Sequence, residues 1–443
     1  MNNFRIFEHQ SIPFLDINSW TDLPFIKLVD ELNQRAHADF IHLGYKSLKA
    51  TQFVGVLQAG GLTLEILPKI DYDNTGDANV APGSALHNRA AESAARNLLF
   101  LLSYTHNIKI HKQDLAHLAT QRANWFELLT SLFAVDLHRL IQRGIVRNYV
   151  PVEDTLPLIR GRWLVERQLA RRPHVRHRFD LRYDEFSSDN LLNRIFRYVV
   201  ETLLPQTYDP TNRVLLLDLQ VWLSDVGFQQ SFSKEELDSI LFTRLNEHYR
   251  PAFNLARMFV EHTILQLSAG GRQTFAFVFD MNLLFEQFVA QFLLRHKRFI
   301  FPDAGETLKL RLQSTGKVNY LARQMPGQGD VFHLKPDILV ENRYGKPILI
   351  VDTKYKQLDA GRGDAGVSEG DMYQMLAYAT GFDCPRTLLI YPQSAGRGPV
   401  SQEFKTYNTE NRHFVATINL RQPLEKPDGL IQRLRDIFTQ ARM

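Results

Sequence analysis

Two aspartates and a lysine carry the plainest chemistry in this chain. They lie in the stretch KPDILVENRYGKPILIVDTKYK, residues 335–356, as Asp337, Asp352 and Lys354. Two apolar runs joined by a polar turn read as a pair of strands. Side chains alternate faces along a strand, so Asp352 and Lys354, two residues apart, share a face. Asp337 joins them from the neighbouring strand. Two carboxylates suit a hard cation such as Mg²⁺, which takes oxygen ligands and keeps several waters. Asp337 and Asp352 are therefore the expected metal ligands, and the Thr353 carbonyl is a further candidate. A cation held there acidifies a bound water and neutralises charge on a phosphodiester. Lys354 is placed to orient the attacking water or to stabilise the pentavalent transition state.

Three more residues are candidates to support this centre. Glu286 sits in DMNLLFEQFVAQFLLRH (280–296), beside an apolar stripe of helical period made by Leu284, Phe285, Phe288, Val289, Phe292 and Leu293. It reads equally as a further carboxylate of the site or as a surface acid at the stripe's edge. Gln374 and Tyr378 are four apart in DMYQMLAYATGF and share a helix face. They are candidates to hold the active-site water or the DNA backbone. An acid-x-Lys triplet alone is weak evidence, since Glu403-Phe404-Lys405 repeats it in a polar stretch. Context separates the two. Asp352 follows PILIV, a run that reads as a buried central strand, and charges ending such a strand are costly unless neutralised.

The elements that must position these residues follow from the pattern. Residues 1–75 read as β-rich, with a hairpin of FVGVL (53–57) and LTLEILPKI (62–70) turning at Gly60-Gly61. Residues 71–84 read as a loop. From about 85 to 143 the apolar spacing turns helical and stops at Gly144. Residues 151–163 read as a connector. Helices are expected at 189–204, with Asp189 as cap, and at 233–247. The opening strands are then followed by a Gly-rich loop (359–370), a helix, strands at 387–392 and 413–420, and a last helix. The expected fold class is α+β and multidomain. A β-rich then helical N-terminal domain spans 1–150, an Arg-rich connector and helical region 151–270, and a C-terminal α/β domain with a mixed sheet 271–443.

Composition narrows the setting. The chain has 443 residues, net charge +4, and a single cysteine, Cys384. One cysteine forms no internal disulfide and suits a reducing compartment; a buried structural thiol is expected. The N-terminus lacks a signal-peptide pattern and no apolar run is long enough to span a bilayer, so a cytoplasmic protein without membrane association is expected. Residues 139–182 hold 11 Arg, no Lys and four acids, a charge of +7. Arginine forks suit phosphate oxygens and carboxylates, so this belt reads as a nucleic-acid track, a subunit contact or a solvated face. There is no G-x-x-x-x-G-K-[ST] to bind a nucleoside triphosphate. His174 and His177 lie among arginines with no cysteine near, a poor zinc site.

PD, an apolar strand, DTK and a helix with Q-x-x-x-Y follow one another in an order that resembles the PD-(D/E)xK nuclease superfamily. More narrowly, the chain resembles the McrC family, the nuclease subunits of 5-methylcytosine restriction systems. The stretches that carry this are GGLTLEILPKI, RGIVRNYV, LIRGRW, YDEFSSDNLLNRIFRYV, MNLLFEQFV, KPDILV and VDTKYK, spread over nearly the whole length. The resemblance implies a restriction-endonuclease-like C-terminal domain with Asp337, Asp352 and Lys354 as catalytic residues and Mg²⁺ as cofactor. It implies a partner, a McrB-like AAA+ GTPase hexamer ring that holds the GTP, whose activity the N-terminal region stimulates on docking. Double-stranded DNA is the implied substrate. Two other functions fit parts of the sequence: a largely non-catalytic activator of an AAA+ motor, and a stand-alone repair nuclease suggested by Gln374 and Tyr378.

Overall fold

The computed structural model describes residues 2–13, 23–36, 39–44, 47–59, 62–71, 85–111, 125–170, 178–267, 273–302, 307–313, 319–327, 329–358, 361, 363–423 and 426–442. Gly60-Gly61, nearly all of the 71–84 loop, and His174 and His177 lie outside the described residues. The chain divides into two compact units, one of residues 1–125 with 263–443 and the other of residues 126–262. The expected boundaries lay at 150/151 and 270/271.

The first unit starts with β1 (Asn2–Phe7), β2 (Ser11–Pro13), α1 (Leu23–Ala36), β3 (Ile41–Leu43), β4 (Ser47–Ala50), β5 (Phe53–Ala59) and β6 (Leu62–Leu67), then the long helix α2 (Ala85–Thr105). β5 and β6 are antiparallel, as the hairpin pattern predicts, with Leu57 opposite Leu64. Every residue of both strands is buried. Phe25, Leu28, Val29 and Leu32, spaced three and four apart on α1, pack into a core with Leu57, Leu64 and Ile66. This helix lies within the region expected to be β-rich.

The second unit holds α3 (Trp125–Gln142, from Phe126 onward), β7 (Asn148–Leu156), β8 (Arg162–Trp163), α4 (Val165–Leu169), β9 (Phe179–Ser187), α5 (Leu191–Leu203), α6 (Pro210–Trp222), α7 (Lys234–Asp238) and α8 (Arg250–His262). Phe133 meets the rings of Phe196 and Phe259 at 6.4 and 6.1 Å and so joins α3, α5 and α8. The segment read as a connector, residues 151–163, begins and ends in strand. β7 pairs with β9 over its whole length, and β8 pairs on the other edge of β9. Two other expectations are corrected. The cap of α5 is Asn190, which accepts from Asn193 N at 3.1 Å, while Asp189 pairs with Arg194 at 2.6 Å. The helix expected over 233–247 spans only Lys234–Asp238, with a capping box at Ser233. Leu241 and Leu245 beyond it are 80% and 87% exposed, while Phe242 packs on Phe253 at 5.3 Å, so the later apolar residues do not share one helical face.

The chain returns to the first unit through β10 (Thr263–Leu267), β11 (Gln273–Asp280) and α9 (Met281–Ile300). β11 pairs with β5, so the sheet order is β1-β6-β5-β11-β10. Next come β12 (Lys309–Leu312), β13 (Asn319–Gln324), β14 (Gly329–Leu334), β15 (Ile338–Glu341), β16 (Pro347–Thr353), α10 (Glu369–Gly381), β17 (Arg386–Pro392), β18 (Ser401–Lys405), β19 (Arg412–Ile418) and α11 (Asp428–Arg442). Six of these strands make a mixed sheet in the order β12-β15-β16-β17-β19-β18. β15 and β16 are antiparallel, while β16, β17 and β19 run parallel. Leu339, Ile350, Leu389 and Val415 pack with Met375 and Tyr378 of α10 in one core, which also contains Cys384. The whole is a mixed α+β fold with several sheets. Among the described residues no helix is long and apolar enough to cross a membrane.

Candidate active site

Strand register brings the two aspartates together. Ile338 faces Val351 across the β15–β16 pair. One step further along the same antiparallel ladder sets Asp337 against Asp352, and residues facing each other across a ladder project to one side. Both side chains are buried, Asp352 to 1% exposure. Asp337 Oδ2 accepts two bonds from Thr353, one from its amide and one from its hydroxyl, both 2.7 Å. These bonds span the strand pair and hold the first carboxylate against the second strand.

Lys354 lies just past the end of β16. Its amide donates to the Ile390 carbonyl at 2.9 Å, which continues the parallel ladder for one residue. Its Nζ lies 2.6 Å from Asp352 Oδ2. Burial pulls the ammonium down, but Asp352, Asp337 and Asp371 offset this and hold it above the ordinary lysine value. Lys354 is therefore a fixed positive charge between carboxylates.

Glu286, from the first turns of α9, belongs to the same centre. Burial, then the charges of Asp337 and Asp352, push it up to about 7. Burial and then Asp337 do the same to Asp352, also to about 7. Burial raises Asp337 as well, against the two bonds from Thr353. Two buried carboxylates, Asp337 and Asp352, with one lysine beside them and a third acid within reach of their charge, offer oxygen donors suited to a hard divalent cation. Asp337 and Asp352 would hold it and Glu286 would complete the charge.

Gln374 and Tyr378 sit together on α10 as their spacing predicts, but they are bonded to the protein. Gln374 Nε2 donates to Tyr378 Oη at 2.8 Å, and that hydroxyl donates to the Lys335 carbonyl at 2.9 Å. The pair thus braces the backbone two residues before Asp337. Burial, then the charge of Asp352, keeps the Tyr378 phenol well above the usual tyrosine range. Glu403 and Lys405 lie on the edge strand β18, paired with Arg412 at 2.9 Å and Glu410 at 3.1 Å. They take no part in the site.

Two groups at the site escape sequence reasoning. Asp371, in the first turn of α10, receives Lys356 Nζ at 3.0 Å and Tyr391 Oη at 3.1 Å. Burial works against its charge, yet Lys356 and Ser368 hold it below the ordinary value, so it stays ionised near Asp352 and Lys354. Its only trace in the sequence is the Ser368-x-x-Asp371 helix start. The other is Glu8. Its Oε2 accepts from Tyr355 Oη at 3.1 Å across 347 residues of chain, a separation that no local pattern bridges.

A family model described as McrBC 5-methylcytosine restriction system component matches residues 48–392, well over half of the chain. In fold the chain is similar to one in the refined half-complex from the tetradecameric assembly of Thermococcus gammatolerans McrB AAA+ hexamers with bound McrC. The TM-score is 0.66 and the identity 23%, over 99% of this chain and 100% of that one. A chain in the cryo-EM structure of the Thermococcus gammatolerans McrBC complex is 26% identical over 67% of this chain and 88% of its own, with a TM-score of 0.49. No curated protein matches in sequence. The chain belongs to the family of McrBC 5-methylcytosine restriction system components.

Proposed function

We propose that this chain is the DNA endonuclease subunit of a modification-dependent, GTP-driven restriction complex, with a PD-(D/E)xK active site that hydrolyses phosphodiesters. The observation that carries the reading is the buried pair of Asp337 and Asp352 at the end of the β15–β16 ladder, with Lys354 Nζ 2.6 Å from Asp352. Asp337 and Asp352 would hold the Mg²⁺, and Thr353 fixes the orientation of Asp337. Once bound, the cation supplies an acidified water and offsets charge on the scissile phosphate. Lys354 Nζ stays protonated and stabilises the added charge of the transition state. Glu286 stands beside the two aspartates as a further carboxylate.

The partner in this reading is a McrB-like AAA+ GTPase hexamer, whose GTP hydrolysis the chain stimulates. Family membership supports it, as does the likeness in fold to a chain from an assembly of McrB AAA+ hexamers with bound McrC. Double-stranded DNA is the substrate, and no nucleotide binds to this chain itself. The setting is the cytoplasm.

The test is Asp352→Ala in the reconstituted complex with Mg²⁺, GTP and methylated duplex DNA. Cleavage should fall by a factor of about 100 or more, while assembly and the partner's GTPase rate stay as with the unaltered chain. Undiminished cleavage would remove the nuclease assignment and leave the activator reading. Cutting by the purified chain alone would favour the stand-alone repair nuclease.

A further inference from the structure

We propose that Glu8 and Tyr355 are positioning residues for Lys354, a strut of carboxylate and phenol running from the N-terminal sheet to the strand end that carries the lysine. The inference rests on the nuclease reading above and adds two residues that act through Lys354 without touching the DNA.

Lys354 has few local ties. The regular strand ends at Thr353, and beyond the Ile390 bond the backbone turns at once, with Lys356 N donating to the Lys354 carbonyl at 3.0 Å. Lys354 reaches Asp352, and Tyr355 is 3% exposed and reaches Glu8. α9 repeats the division: Phe285 meets the Tyr355 ring at 5.8 Å, while the next residue, Glu286, faces the carboxylates. Fixing the tyrosine therefore fixes the backbone that presents the lysine.

Glu8 is built to do the fixing. It follows β1 directly, is 4% exposed, and its amide donates to the Leu67 carbonyl at 2.9 Å. Oε2 accepts from the Lys69 amide at 2.9 Å and from Tyr355 Oη at 3.1 Å. Lys69 Nζ stands 5.2 Å over the Tyr355 ring, and Gln357 Nε2 donates to the Lys69 carbonyl at 3.4 Å. Oε1 is buried with no hydrogen-bond partner. Burying an acid with one oxygen unused costs stability, and the two bonds that Oε2 accepts, one of them from the phenol, offset part of that cost.

The experiment uses the complete complex with its AAA+ partner, Mg²⁺, GTP and methylated duplex DNA, under single turnover. Tyr355→Phe keeps the ring and removes only the hydroxyl; Glu8→Ala removes its acceptor. Each should slow cleavage about tenfold, as misplacement of a catalytic group does, with the half-saturating DNA concentration unchanged. Glu8→Gln, which keeps an acceptor oxygen, should recover most of the rate. A second readout is acetylation of Lys354 by an amine-reactive ester in the full-length chain, followed by peptide mass spectrometry against Lys356. It should rise several-fold in Tyr355→Phe and Glu8→Ala. Unchanged acetylation in Tyr355→Phe overturns the strut, and raised acetylation with unchanged cleavage overturns its role in the reaction. Should the unaltered complex fail to cut DNA, the nuclease reading falls by itself, and the acetylation result still decides whether Tyr355 positions Lys354.

Discussion

An acid such as Glu8, 4% exposed and with one oxygen unbonded, is in a poor place to ionise. Burial, opposed by Lys69 and by the bonds from the Lys69 amide and Tyr355, pushes it from an ordinary 4.5 up to about 7; Asp280 adds to the rise. The sign of the consequence is fixed. Between 4.5 and about 7 the folded chain binds a proton that the unfolded chain releases. Stability from the protonated acid is whole below 4.5, declines as pH rises through that window, and is gone above about 7. The size is on the order of 3 kcal/mol. Urea unfolding of the unaltered chain and of Glu8→Gln at pH 5 and pH 8 measures it. The glutamine variant should lose less stability over that interval, and equal losses would sink the idea. Tyr355→Phe leaves the carboxylate but removes a bond that favours its charge, and should keep or steepen the slope. The same physics at Asp352 and Glu286 has a different setting, because there several acids influence one another and the divalent cation proposed above would relieve them together.

Gly55, in the middle of β5, shows how closely the elements that aim the site are packed. A Cβ there would overlap the Phe277 carbonyl oxygen and come within 2.7 Å of Val278 Cγ1, both on β11. β11 runs straight into α9, which carries Glu286. Gly55→Ala should therefore cost about 3 kcal/mol as the strands part, read as a lower urea midpoint; a loss below about 1 kcal/mol would show that the sheet yields easily. The β5–β6 hairpin was legible because its apolar residues alternate over a defined run, and the Asp352–Lys354 face because strand alternation fixes it. The pairing of Asp337 with Asp352 needed the register, which the sequence leaves open by a residue or two. The strand Asn148–Leu156 was hard to read for the opposite reason: no residue in it is fully buried, so no strongly apolar side imposes alternation on its sequence. Glu286 stayed ambiguous because the edge of an apolar stripe does not say what lies across from it. Asp371 and Glu8 act through partners folded in from elsewhere.

On the scale of the whole chain, the second unit begins and ends in segments that meet. Within it, Phe126 of α3 and Phe259 of α8 hold their rings 6.2 Å apart, so its two ends are packed side by side. The first unit shows the matching closure. Trp125 lies 5.6 Å from the Phe277 ring, and Thr263 is the register partner of that same Phe277 on β11. Residues 126–262 thus have the form of an insertion between two points anchored on one strand, and a short bridge spans such a gap at small entropic cost. The residues of the proposed site and the Glu8–Tyr355 link all belong to the first unit. Replacing 126–262 by a short Gly/Ser linker should therefore leave a chain that unfolds in one cooperative urea transition. Saturating Mg²⁺ should stabilise it as it does the full chain, by about 2.7 kcal/mol at one hundred times the dissociation constant, and Asp352→Ala should abolish that gain in both. A shortened chain that unfolds without cooperativity would refute the insertion. One that folds but gains nothing from Mg²⁺ would show that residues 126–262 are needed to assemble the carboxylates.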